Sequence, residues 1–84
     1  MKNSVINFTA LCGVVLEKKK TWFWLDYGKG KIKVYAKGEI LDSVDVNYTL
    51  TVSGQIGMKW LRTYLDCTQC TILDKKPHYL QKED

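Results

Sequence analysis

Hydrophobic residues recur at every second position along most of this chain, and that period constrains the fold more than any other feature. From Ile6 the even positions read Ile6, Phe8, Ala10, Cys12, Val14 and Leu16, with Asn7, Thr9 and Glu17 among the odd ones. Strand side chains alternate between faces, so this reads as one long half-buried strand with its even residues toward the core. Gly13 marks a bulge or bend where the strand curls. Lys18-Lys19-Lys20 breaks the pattern as an exposed turn. Alternation resumes from Tyr48 to Met58, with Tyr48, Leu50, Val52, Gly54, Ile56 and Met58 on one parity and Thr49, Thr51, Ser53, Gln55 and Gly57 on the other. Lys59 to Leu61 is a turn or strand end, and Thr63 to Leu73 a last strand. There Leu65 and Cys67 share one parity and Cys70 and Ile72 the other, so a bulge near Thr68-Gln69 is needed to turn both pairs inward. Residues 38–47 form a connector with room for one helical turn, and there are no internal repeats.

Between these lie Thr21-Trp22-Phe23-Trp24-Leu25-Asp26-Tyr27 and Lys31-Ile32-Lys33-Val34-Tyr35-Ala36-Lys37, joined by Gly28-Lys29-Gly30. The composition is that of a β-hairpin. Slipping the register by one residue would flip every side chain, so register decides what the hairpin displays. A three-residue loop sets Leu25 against Lys33 and Trp24 against Val34, which mixes the faces. A two-residue Gly28-Lys29 turn sets Leu25 against Ile32 and Phe23 against Val34 on one face. The other face then carries Asp26 with Lys31, Trp24 with Lys33, and Trp22 with Tyr35. Only this second register separates apolar from polar, and Gly at the first turn position suits a type II′ turn.

Five strands, no long helix and short turns make an all-β chain. With 84 residues there is room for one small core only. An open sheet this small would leave two exposed edges, so closure into a five-stranded OB-like (Greek-key) barrel is expected, with an SH3-like barrel as the alternative strand order. The barrel is expected over residues 1–74, followed by a polar C-terminal tail over 75–84. No apolar run reaches the length of a membrane-spanning helix, and the polar Asn7 and Thr9 interrupt any signal-peptide stretch, so a cytoplasmic domain without membrane contact is expected.

Charge is unevenly distributed. Residues 1–38 hold eight lysines against Glu17 and Asp26, a net of +6, whereas residues 39–84 hold five basic groups against seven acids, a net of −2. A basic half suits a polyanionic partner, although Lys-rich surfaces also serve solubility alone.

Several stretches carry a resemblance. Val46-Asn47-Tyr48-Thr49-Leu50-Thr51-Val52-Ser53-Gly54-Gln55-Ile56 resembles the fourth strand of bacterial single-stranded-DNA-binding proteins and the primosomal replication protein. Leu65 to Leu73 is similar to their closing strand, and Leu11-Cys12-Gly13-Val14-Val15 to their opening strand with its mid-strand glycine. The resemblance covers roughly residues 5–74 in order. It implies an OB-fold whose binding face is built on the second and third strands. The chain departs from that pattern in its short third-to-fourth connector and in lacking a long glycine-rich tail, so tail-borne partner recruitment and a tetramer are not carried over. The acidic end Glu83-Asp84, after Tyr79-Leu80, is similar to the acidic terminal peptide of those proteins, but it is only two residues and a solvated end is the default reading.

In the chosen register one hairpin face displays Trp22, Trp24 and Tyr35 among Lys31, Lys33 and Lys37. Flat rings interleaved with cations are what an unstructured nucleic acid needs, because bases stack on the rings and ammonium groups neutralise the phosphates between them. Lys18, Lys19, Lys20 and Lys29 are expected to extend the path from loops. The expected ligand is single-stranded DNA rather than RNA, bound with little sequence preference. The single Arg62 and the absence of a recognition helix argue against duplex readout. Roles in DNA replication, recombination, phage or plasmid biology would suit such a domain, with a replication or recombination protein as partner. Small barrels pair readily, and a homodimer would double the track. The rival reading gives the same face to an acidic protein partner, as an interaction or inhibitor module with Lys stems packed over the rings.

Catalysis is not expected. The one histidine, His78, has no nucleophile near it in sequence, and Gly28-Lys29-Gly30 joins two strands rather than leading into a phosphate-binding helix. Cys67-x-x-Cys70 has only Cys12 and His78 to complete a zinc site, and it opens no helix as a redox motif would. Reduced, partly buried thiols are the expectation, with no metal and no cofactor.

Overall fold

The computed structural model describes residues 8–75. Strand β1 spans Phe8–Lys18, β2 Trp22–Asp26, β3 Lys31–Tyr35, helix α1 Gly38–Ser43, β4 Thr49–Lys59 and β5 Arg62–Asp74. The strands close in the order β1-β2-β3-β5-β4. All neighbours are antiparallel except β3 and β5, which run parallel through Lys33↔Tyr64, Val34↔Leu65 and Tyr35↔Asp66. This is a closed, five-stranded OB-like barrel, and its order decides against the SH3-like alternative. Of the expected tail, only Lys75 falls among the described residues.

The hairpin takes the register that separates its faces. Trp22 pairs Tyr35, Phe23 pairs Val34, Trp24 pairs Lys33, Leu25 pairs Ile32 and Asp26 pairs Lys31. The Tyr27 amide donates to the Gly30 carbonyl at 3.1 Å, and Gly28 supplies the positive φ of 98° that the turn demands. Phe23, Leu25 and Val34 are fully buried, with Val15, Leu50, Val52, Val44 and Leu65 completing the centre of the core. The β4 alternation holds at Leu50, Val52 and Gly54, and β5 skips Thr68 between Ser53↔Gln69 and Gly54↔Cys67. That bulge lets Cys67 enter the core while Cys70 and Ile72 pack against it from the opposite parity.

Strand β1 is turned the other way from the expected parity. Its odd residues face inward: Leu11 pairs Val52, Gly13 pairs Leu50 and Val15 pairs Leu25. Phe8, Ala10 and Cys12 are exposed instead. The reason is steric. A Cβ on Gly13 would lie 2.1 Å from the Asp26 carbonyl oxygen, so the strand crosses β2 there only with a glycine facing inward. The register shift of β1 lies not at Gly13 but between Val15 and Glu17, around Leu16.

The connector holds a real, if short, helix. Six residues from Gly38 are helical, capped by Lys37 in an extended conformation with no side-chain bond. Leu41 and the C-capping Val44 enter the core. Asn47, at φ 74°, donates its amide to the Val15 carbonyl at 2.8 Å and starts the β1–β4 pairing.

Candidate nucleic-acid interface

Cross-strand pairing puts Trp22, Trp24, Lys31, Lys33 and Tyr35 on the outward face of β2 and β3, where they interleave. The Lys33 ammonium lies 4.4 Å from the Trp22 ring centroid, 5.8 Å from Trp24 and 5.9 Å from Tyr35. Lys31 sits 4.5 Å from the Trp24 centroid. Trp22 and Trp24 meet edge to face at 5.4 Å, as do Tyr35 and Tyr64. None of the three tryptophans is in the core. A small barrel that leaves its largest apolar side chains outside, and covers two of them with cations, has a surface rather than a core use for them.

The face continues into a cleft that the sequence reading did not find. Trp24, Tyr27, Lys31, Lys33 and Tyr35 form one wall, and Lys59, Trp60, Arg62 and Tyr64 the other, around about 670 Å³. The second wall is the end of the β4–β5 hairpin. That hairpin runs to the Lys59↔Arg62 pair. Its tip is Trp60-Leu61, with φ of 55° and 64° and exposures of 87% and 93%. Two-residue hairpin turns need left-handed residues and normally use Asn or Gly, so a Trp-Leu pair costs roughly 1–2 kcal/mol per residue in backbone strain. Backbone strain of that size tends to cluster at functional positions. The signal in the sequence was a turn at 59–61 with neither Gly nor Asn in it.

The remaining lysines divide. Lys29 is exposed at the β2–β3 turn. Lys37 leaves the sheet as the cap of α1 and, with Lys20, lines a second cavity of about 310 Å³ that Tyr35 borders. Tyr35 thus adjoins both cavities. Lys19 pairs with Glu17 at 2.8 Å, and that hydrogen bond, more than the lysine's charge, lowers the Glu17 pKa. Lys18 is a correction. It ends β1 rather than standing in a loop, opposite the buried Phe23, and its ammonium donates to the Val44 carbonyl at 2.8 Å. That contact ties the end of β1 to the α1 connector.

The thiols are differentiated. Cys12 is exposed, whereas burial raises the pKa of Cys67, whose thiol donates to the Gln69 carbonyl at 3.1 Å. Burial first, and then the neighbouring Cys67, push Cys70 up to about 11. At pH 7 only about one Cys70 in 10⁴ is a thiolate. Maleimide at pH 7 is therefore expected to modify Cys12 first and the other two at least tenfold more slowly, with the Cys70 rate climbing as pH rises toward 11. Equal rates at all three positions, read by mass spectrometry, would contradict this burial pattern. Among the described residues, no three His, Cys, Asp or Glu side chains cluster as a metal site would require, and no helix is long and apolar enough to cross a membrane. His78 and the acidic pair Glu83-Asp84 lie outside the described residues.

No family model matches the chain, and no curated protein matches it. Among solved structures, the hypothetical protein ygiW from E. coli is similar to it at a TM-score of 0.66 and 19% identity, over 79% of this chain and 74% of that one. That likeness is one of fold, and it supports an OB-like barrel rather than any single-stranded-DNA-binding family. By strand order and by likeness alike, the chain is a small OB-like barrel.

Proposed function

We propose that this barrel binds single-stranded nucleic acid, DNA in preference to RNA, with little sequence preference, and that it acts by binding rather than catalysis. The observation that carries the reading is the interleaving of Lys31 and Lys33 with Trp22, Trp24 and Tyr35 on one outward sheet face. Magnitudes favour a strand over the resting arrangement. An exposed cation–π contact contributes about 0.5–1 kcal/mol, whereas a base stacked on an aromatic ring contributes about 1–3 kcal/mol. An arriving base therefore displaces the lysine from its ring, and the displaced ammonium is left at the height of the adjoining phosphate. Trp60 and Arg62 close the cleft from the other side, with Lys29, Lys20 and Lys37 along the path. The Greek-key barrel binds oligonucleotides on this face and on the β4–β5 loop in other proteins that use the fold.

Titrating tryptophan fluorescence with oligo-dT and with duplex DNA of equal charge, at two salt concentrations, tests the reading. Quenching by dT is expected, with a plateau once the oligomer spans the face. With about five phosphates neutralised, log K should fall against log salt with a slope of roughly −3 to −4. Silence toward every nucleic acid at low salt would sink the proposal. Salt-sensitive binding of an acidic protein without any response to dT would give the face to the rival partner instead.

A further inference from the structure

The inverted parity of β1 leaves an apolar row on the outside of the barrel. Phe8, Ala10, Cys12 and Val14 point outward opposite Gln55, Ser53, Thr51 and Thr49 of β4, and Phe8 is 55% exposed. The row runs on to Leu16 at the register shift, 46% exposed. In a chain that is 26% charged, neither residues 8–16 of β1 nor residues 49–57 of β4 include a single charged side chain. The nearest charges are at the margins, with Asp66 beyond Gln55, Asp74 beyond Thr49 and Asp26 beside Val14.

We propose that this neutral face is where two copies of the chain meet, face to face about a two-fold axis through Cys12. Charge selects the occupant. A chain of net charge +4 repels its own copies, and a surface free of charge is where two of them can touch without opposing like groups. An acidic partner would find nothing here to pair with and is better served by the lysine face. Shape selects the axis. Among the described residues the row is bulky at Phe8 and Leu16 and small between them at Ala10 and Cys12, so an axis through Cys12 lets the bulky residues of one copy flank the small ones of the other. In an isologous pair, antiparallel rows then set Phe8 against the partner's Leu16, Ala10 against the partner's Val14, and Cys12 beside its own counterpart. Nine residues of β1 and the facing nine of β4 cover roughly 300 Å² per copy, below the range of stable interfaces, so the pair is a weak one. The pair therefore forms at micromolar rather than nanomolar concentrations. Nothing in it rests on nucleic-acid binding, because the β2–β3 face stays outside the contact.

Sedimentation equilibrium of the full chain from about 1 to 200 µM tests the proposal, the range being set by the small contact area. Mass should rise from 9.7 kDa toward twice that value as concentration increases. Cys12→Glu and Cys12→Lys each place two like charges at the axis and should each raise the dimer's midpoint concentration at least tenfold. Mixing the two variants should restore association, which misfolded chains would not do. A short bis-maleimide should couple two copies through Cys12 in the wild type. A mass fixed at 9.7 kDa throughout, or a dimer indifferent to both substitutions, would overturn the proposal. So would a monomer whose Cys12 resists maleimide, since one of the chain's own terminal segments would then be the cover.

Discussion

Replacing Trp22 and Trp24 together by alanine is expected to weaken oligo-dT binding by between about 30-fold and 10⁴-fold. The range follows from two stacked bases at about 1–3 kcal/mol each, with 1.4 kcal/mol per factor of ten. Either single substitution should cost about the square root of that loss unless the two rings share one base. The barrel itself should barely notice, because neither indole contributes to the core cluster. Melting temperature is therefore the control, and a double variant that melts normally but keeps its affinity within threefold of wild type would refute stacking on this face. Lys33→Met sharpens the test. It leaves a stem over the rings but removes the ammonium, so the salt slope should flatten by close to one phosphate while quenching persists.

Gly54→Ala carries the largest expected effect on stability. A Cβ at this position would lie 1.9 Å from the Asp66 carbonyl oxygen, 2.8 Å from its carbon and 3.0 Å from the Cys67 Cα. All three are backbone atoms of β5 beside its bulge, and none can move without breaking the β4–β5 pairing. Overpacking of a core commonly costs about 1–3 kcal/mol, and rigid backbone on the far side puts this site at the upper end or beyond. A domain this small is stable by only about 4–12 kcal/mol, so a loss of about 3 kcal/mol should lower the melting temperature by at least ~12 °C. Gly57→Ala is the matched comparison. Its Cβ would meet the Tyr64 ring at 2.5 Å, and a side chain can swing aside where a strand cannot. Scanning calorimetry should therefore show Gly57→Ala close to wild type. Equal losses at the two positions would show that the backbone approach at Gly54 is not what limits packing.

Two other glycines, Gly28 and Gly13, mark how far the sequence could be read. The hairpin register was legible because only one pairing of Trp22–Asp26 with Lys31–Tyr35 separates apolar from polar faces, and the Gly28 turn permits it. The β5 bulge was legible because Leu65 and Cys67 disagree in parity with Cys70 and Ile72, and only an extra residue reconciles them. Strand β1 offered no such contrast. Both of its parities are apolar, Phe8, Ala10, Cys12 and Val14 against Leu11 and Val15, so alternation could not choose between them. What chooses is the close passage of the Asp26 backbone over Gly13, a tertiary contact with no local trace. The aromatic and lysine face followed from the hairpin register. Its second wall did not, because Trp60 and Arg62 come near Trp24 only once β3 and β5 pair across 30 residues of chain. Lys18 was misread for a related reason: its partner is a backbone carbonyl at Val44, which no side-chain pattern announces.

The parallel contact of β3 with β5 is the narrowest join in the barrel wall, three residue pairs against eleven between β4 and β5. Parallel pairing is also slightly weaker per residue than antiparallel pairing. This seam runs beneath the cleft, with Tyr35 and Lys33 on one lip and Tyr64 and Arg62 on the other. On the proposed function, a strand of nucleic acid lying in the cleft would grip both lips at once and work as a suture. By mass action it favours the closed wall over any state in which the seam has parted. On that reading, a ligand held in the cleft would also steady the barrel's own circumference at its narrowest join.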